Sequence, residues 1–253
     1  MQPKPKLTFM KKIIVLLLCL PMIASAQSLI GGKNIFRWNI GSVALRNYHF
    51  TYERSLTKRL SLSLSYRTMS KGAVPFKDEL AKKINSANVD FGNFQMGNTA
   101  WTVEGRFYLG LGRMKGFYLA PYLRFANFDL SAPVKYTVTT GPAAGASKQA
   151  NFMGNVKSTS PGLMIGWQFT LVGKLVMDLQ IIGGHYGHSN GDLNFVAVLS
   201  DDEKNALQTS INDIKNKTDP FKITGTATNS GAKITTDGPW LGVRSNIGIG
   251  LRF

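Results

Sequence analysis

Two groups of side chains in this sequence have the types and spacing for chemistry. The compact one is His188, Ser189 and Asp192, with His185 just before them. A histidine that takes a proton from a serine while a carboxylate orients it is the arrangement of acyl transfer. These residues are therefore the catalytic candidates for an acyl hydrolase or transferase. Their spacing does not establish that base and nucleophile come within hydrogen-bond reach. Polar residues at a strand-to-loop boundary more often form an interfacial turn, so the reading adopted is a protein without enzyme activity. The two histidines lack a third ligand, and no metal or cofactor is expected.

The second group is dispersed. Arg37, Glu53, Arg67, Glu104, Arg106, Arg124, Asp178, Arg244 and Arg252 each fall at the polar position of an alternating apolar/polar run. The lysines sit in the segments between such runs. Arginine can grip a carboxylate with two donors and still reach other acceptors, which suits a crowded polar interior better than lysine does. Nine such residues facing inward form a salt-bridged plug. Because arginines outnumber acids, an anion path is the competing reading, disfavoured because an eight-stranded barrel is largely filled by its own side chains.

Those positions require strands, and the chain supplies eight alternating runs: Ile35 to Ala44, Tyr48 to Leu56, Leu60 to Thr68, Thr99 to Leu109, Phe117 to Phe128, Pro161 to Leu171, Leu175 to His185, and Leu241 to Phe253. In the third run Leu60, Leu62, Leu64 and Tyr66 alternate with Ser61, Ser63, Ser65 and Arg67. Pro121 in the fifth run would break the ladder of a central soluble strand. Excursions lie at Met69 to Asn98, Asp129 to Ser160 and Tyr186 to Pro239. The first carries an expected helix, Lys77 to Asn85, with Phe76, Leu80 and Ile84 on one stripe. The last carries a capping box from Ser200 to Glu203 followed by Leu207, Ile211 and Ile214. The helices are expected to pack on each other or on the barrel rim. Three short links fall at one end and the long excursions at the other, as in outer-membrane barrels. Aromatics sort the same way, with Phe36, Phe107, Phe117, Phe169 and Phe253 at one rim and Phe50, Tyr66, Trp101, Phe125 and Trp240 at the other.

The two ends of the chain fit export. Lys11 and Lys12 precede the apolar run Ile13 to Leu20, and Ala24-Ser25-Ala26 offers a cleavage site before Gln27. Residues 1–26 are thus read as a signal peptide and 27–253 as one barrel domain; the leader fits better if translation begins at Met10. Cys19, the single cysteine, falls in the leader, which leaves no thiol chemistry in the mature chain. Of the formal charge of +16, Lys4, Lys6, Lys11 and Lys12 account for four, leaving +12. In an exported chain that excess does not point to nucleic acid. The last run exceeds the roughly 9–11 residues a tilted strand needs to cross a bilayer. It ends on Phe253, which resembles the ending that barrel assembly machinery reads.

Arg106-Phe107-Tyr108-Leu109-Gly110 with Lys115-Gly116-Phe117-Tyr118-Leu119-Ala120-Pro121-Tyr122-Leu123-Arg124 resembles the signature of small outer-membrane barrels of unknown function found in Bacteroidota, and Pro121 belongs to that motif. Tyr52-Glu53-Arg54 and Leu60-Ser61-Leu62 fit as well. The resemblance implies an OmpA-like architecture and brings no catalytic or binding residues. The expectation is an all-β fold, an eight-stranded antiparallel transmembrane barrel with long external loops carrying short helices, resident in the cell outer membrane. Its partners would be outer-membrane lipid, lipopolysaccharide, the assembly machinery, and a ligand or protein at the external loops. The expected role is structural or loop-binding, with a lipid-modifying enzyme or a conduit for small hydrophobic molecules as alternatives.

Overall fold

The fold is that of a computed structural model, which describes residues 32–73, 88–110, 112–217 and 222–253. The expected signal peptide with Cys19, and the expected helix over 77–85, lie outside the described residues. The elements run β1 (Asn34–Asn39), a 3₁₀ helix (Ile40–Leu45), β2 (Asn47–Ser55), β3 (Leu60–Ala73), β4 (Gln95–Tyr108), β5 (Gly116–Thr137), β6 (Ser147–Val172), β7 (Leu175–Val196), α1 (Asp201–Lys217), β8 (Lys222–Thr228) and β9 (Gly231–Arg252).

Eight of these strands pair antiparallel in the order β1-β2-β3-β4-β5-β6-β7-β9, and β9 pairs back onto β1, closing a ring. Closure leaves no free edge at this level, which is how an all-β chain disposes of unpaired backbone groups. Phe253 N–H and Asn34 C=O bond at 2.8 Å where the last and first strands meet. The tight connections, at 56–59, 109–115 and 173–174, lie at one end of the ring. Among the described residues no helix is long and apolar enough to cross a membrane.

Alternation decides what each face meets. Inward, Arg37, Glu53, Arg106, Gln168 and Asp178 are fully buried, while outward Phe36, Trp38, Leu62, Trp101, Leu123 and Trp167 stand exposed. Phe50, Tyr66, Trp101 and Phe125 lie side by side in register across β2 to β5. Trp240 does not join them. It faces inward, its ring 4.6 Å from that of Phe128, because β9 keeps Arg244, Gly242 and Trp240 on one face of a continuous strand.

Strand lengths differ from expectation in two ways. The first strand stops at Asn39, since Ile40–Leu45 are used to reverse the chain; Arg46 completes that reversal in the left-handed conformation (φ 58°), donating its N–H to Val43 C=O at 2.8 Å. Conversely, β5, β6, β7 and β9 have 22 to 26 residues. Much of the expected second and third excursions is therefore strand, rising beyond the rest of the ring. On this extension the inward face carries Val134, Tyr136, Phe152, Leu193 and Ile234, and α1 lays Leu207, Ile211 and Ile214 against them. The helix thus covers the inward face of four extended strands rather than a barrel rim. Its start is the expected capping box, with Ser200 N–H donating to Glu203 Oε2 at 2.8 Å and Glu203 N–H to Ser200 Oγ at 3.3 Å. Strand β8 pairs with the far half of β9, and Gln208 of α1 holds it by donating to Gly225 C=O (3.0 Å) and accepting from Ala227 N–H (2.8 Å).

Candidate functional site

The interior of the ring is built in layers from the tight-turn end upward. The floor is apolar. Ile35, Tyr108, Val176 and Met114 are buried together there, Met114 in the left-handed conformation at φ 49° just before β5 begins.

Above the floor lies the charged layer. Arg37 donates to Glu53 and to Gln168, and its Nε stands 3.5 Å from Asp178. Arg106 reaches Glu104 at 2.9 Å, Asp178 at 3.0 Å and Glu53 at 3.4 Å. Three carboxylates thus surround two guanidinium groups. Tyr108 donates to Glu53 at 2.6 Å and Tyr118 to Asp178 at 2.9 Å, while the Arg106 guanidinium lies 4.5 Å from the Tyr118 ring centroid. The Gln168 amide links this layer to the floor by donating to Met114 C=O at 3.0 Å. Buried ions tolerate such a place only when paired and hydrogen-bonded, since the desolvation penalty is several kcal/mol per ion.

Bare backbone makes room for these rings. A Cβ at Gly166 would lie 2.2 Å from the Tyr118 hydroxyl oxygen, and one at Gly162 2.4 Å from Tyr122 Cζ. Both glycines of β6 therefore act as seats for tyrosines of β5. No residue with a side chain fits either place without moving the network.

The next layer is basic. Arg67, Arg124 and Arg244 face a cavity of about 190 Å³ together with His49, Gln180 and Asn246. Hairpin pairing places Glu104 opposite Tyr122, as the run lengths imply, and suggests Arg124 as the partner of Glu104. The partner is instead Arg244, at 3.1 Å, while Arg124 Nη1 reaches Thr102 Oγ1 at 3.4 Å. The reason is curvature: closing the sheet brings β9 across from β4, a contact between strands that share no hairpin. Arg252 is only partly buried and donates to Met114 C=O at 3.0 Å from the floor side. So of the nine expected interior charges, Arg37, Glu53, Glu104, Arg106, Asp178 and Arg244 form one ion-paired network, and Arg67, Arg124 and Arg252 stand outside it. Tyr108, Tyr118 and Gln168 fall at the polar positions of their alternating runs, but their part in that network follows only from the distances.

The compact group does not converge. His188 is exposed, with Nε2 3.4 Å from Asp237, whereas Ser189 points inward and donates to Gly238 C=O at 3.3 Å. Consecutive strand residues face opposite sides, so β7 separates the base from the hydroxyl. Asp192 is outward and occupied. The Thr235 hydroxyl at 2.7 Å and the Lys233 ammonium at 3.0 Å hold its carboxyl below the usual carboxylate range. His185 turns inward to Tyr122, with Nδ1 3.1 Å from its hydroxyl.

A family described as "Protein of unknown function (DUF3575)" matches residues 12–209. The chain belongs to that family. The match takes in β1 to β7 and the first half of α1, and thus every strand of the ring except β9. No curated protein and no solved structure matches the chain.

Proposed function

We propose that the chain is exported, loses residues 1–26, and resides in the outer membrane as a plugged barrel with a structural role or a binding role at its outer end. One observation carries this reading. Along β5, outward residues are Leu119, Leu123 and Phe125 up to one level, then Asn127, Asp129 and Lys135, while inward residues pass from Tyr122 and Arg124 to Val134 and Tyr136. Water favours the second arrangement and lipid the first. A belt of outward Leu, Phe and Trp around a whole ring far exceeds the apolar patches that soluble monomers expose. Trp and Tyr in the row Tyr66, Trp101 and Phe125 suit the headgroup level.

The fully buried charge layer and its apolar floor favour a closed lumen over a conduit, and the separation of His188 from Ser189 favours a protein without acyl-transfer activity. Lipid and lipopolysaccharide would surround the belt, assembly machinery would read the strand ending on Phe253, and the extension with α1 would meet a ligand or protein outside. The similarity to Bacteroidota barrels and to OmpA-like architecture is part of the same proposal.

The test is direct. The mature protein should begin at Gln27, fractionate with outer membranes, run anomalously on gels when unheated, and give no steady current in a planar bilayer. A soluble periplasmic monomer would refute the location, and stable single-channel currents would refute the plug. Phe253→Asp should lower the inserted amount while export continues; full levels of folded mutant would argue against the ending as an assembly signal.

A further inference from the structure

The basic layer is over-supplied with positive charge for the partners it has. Arg67, Arg124 and Arg244 line the cavity of about 190 Å³, and among the described residues no carboxylate lines it. Glu104 is the acid nearest in the network, and its oxygens are already engaged, Oε2 by Arg106 and Oε1 by Arg244. Of the three guanidinium groups only that of Arg244 meets a carboxylate among the described residues; Arg67 donates to Asn47 Oδ1 at 2.8 Å and Arg124 to Thr102 Oγ1 at 3.4 Å, both neutral acceptors. Arg244 has a side chain only 8% exposed, yet its Nη1 has no hydrogen-bond partner. A buried guanidinium nitrogen left unpaired is costly, and this one belongs to a residue lining the cavity.

Access is from the side. Strand β1 pairs with β9 only from Ile35↔Arg252 to Asn39↔Gly248, after which the 3₁₀ helix replaces the strand. The ladder bond lost there is replaced locally, with Ile247 N–H donating to Asn246 Oδ1 at 2.8 Å. Gly41 and Ser42 on one side, and Val243 to Asn246 on the other, border the cavity. These two sides touch where Asn246 Nδ2 donates to Ser42 Oγ at 3.0 Å, but beyond that contact β9 has, among the described residues, no ladder partner on this side between β8 at Asp237 and β1 at Gly248, which leaves a gap in the wall beside the outward Leu241 and Val243. Inside the ring, Phe128 and Trp240 touch across the lumen four residues beyond Arg124 and Arg244 on the same strand faces, between the level of the chamber and the extension.

We propose that this chamber binds a phosphate-bearing anion that enters through the side opening. Guanidinium groups match tetrahedral oxyanions with paired donors. The volume equals that of roughly six waters at about 30 Å³ each, enough for one phosphate group with some hydration. Two sources share that chemistry: free phosphate, or the phosphate head of a lipid whose chain lies outside along Leu241 and Val243. The site goes beyond a structural or loop-binding role, and its existence does not depend on the membrane reading.

The experiment uses the full mature chain folded in zwitterionic detergent, titrated with inorganic phosphate by calorimetry, alongside Arg124→Gln and Arg67→Gln. Unheated gel mobility reports folding; should Arg124→Gln not fold, Arg67→Gln carries the test. Wild type should bind saturably and the folded variants at least tenfold more weakly, while Arg54→Gln, an exposed outward position, should match wild type. Nanodiscs of phosphatidic acid or phosphatidylcholine then separate the sources by mass spectrometry of retained lipid. Phosphatidic acid retained by wild type and lost in the variants supports the lipid head; phosphate binding without such retention supports the free anion. Folded wild type that binds neither, or variants that bind as wild type does, would overturn the site.

Discussion

The same four strands are folded against opposite environments along their length. In the ring, β6 shows Leu163 and Trp167 outward and Ser160 and Gln168 inward; in the extension it shows Asn155 and Lys157 outward and Phe152 and Val156 inward. β7 and β9 switch at the same level, with Tyr186 giving way to His188 and Asp192, and Leu241 to Asp237 and Lys233. The period of two holds through that switch; β7 breaks it once, lower in the ring, where Ile181 and Ile182 both face outward at a bulge. What changes is which phase is apolar, and that shows that strand geometry and face polarity are independent instructions. The lower region is held inside by ions and hydrogen bonds, and the upper one by a hydrophobic core closed by α1.

If this contrast is right, the largest effect should come from an ion in the ring. Glu53 is fully buried and serves Arg37, Arg106, Tyr108 and Ser61. Glu53→Ala should cost on the order of 3–5 kcal/mol, the penalty for stranding buried partners, and lower the urea midpoint for loss of the compact unheated gel band. Glu104→Ala should act in the same direction through Arg106 and Arg244. A core substitution above should behave differently. Leu207→Ala should cost about 2–5 kcal/mol, but locally: protease cleavage near α1 should quicken while the gel band of the ring persists. Equal loss of both regions in either mutant would mean that they fold as one unit.

The contrast also explains what the sequence made legible. The eight runs, their inward and outward faces, and the Gln168↔Asp178 and Glu104↔Tyr122 registers can be read from alternation and turn position. The extension escapes such a reading when only runs with apolar residues in the outward phase are sought. Val134 and Tyr136 against Lys135 and Thr137, or Ala150 and Phe152 against Gln149 and Asn151, alternate as clearly in the other phase. The Glu104–Arg244 pair and the Phe128–Trp240 contact carry no such signal, because each joins strands that are neither sequential nor paired. The separation of His188 from Ser189 was available from strand parity, once the seventh strand was known to continue to Val196.

Smaller effects refine the boundary between the regions. His188→Ala should change stability by no more than about 0.5 kcal/mol, as for a surface position, and leave the lipid A mass spectrum of a host membrane unchanged. Loss of a lipid A species that depends on His188 or Ser189 would revive the enzyme alternative. Acid should act on the extension through Glu203. Lys148, followed by the Ser200 backbone, holds its carboxyl down at about 2, against an ordinary value of 4.5. A depressed value means that its contribution is complete above 4.5 and fades as the pH falls toward 2. Amide exchange in the first turn of α1 should therefore be steady from pH 7 to 5 after correction for intrinsic rates, and lose protection below. Glu203→Gln should remove that step.

The most direct test of two environments uses the four tryptophans. Trp38, Trp101 and Trp167 are outward on the ring, and Trp240 is inward against Phe128. Each would be kept as the sole tryptophan, the others being replaced by phenylalanine, and the proteins reconstituted in vesicles with brominated acyl chains. Strong quenching of Trp38, Trp101 and Trp167 and little of Trp240 is the expected result. Equal quenching at all four positions, or no quenching of Trp101 and Trp167 in folded protein, would contradict it.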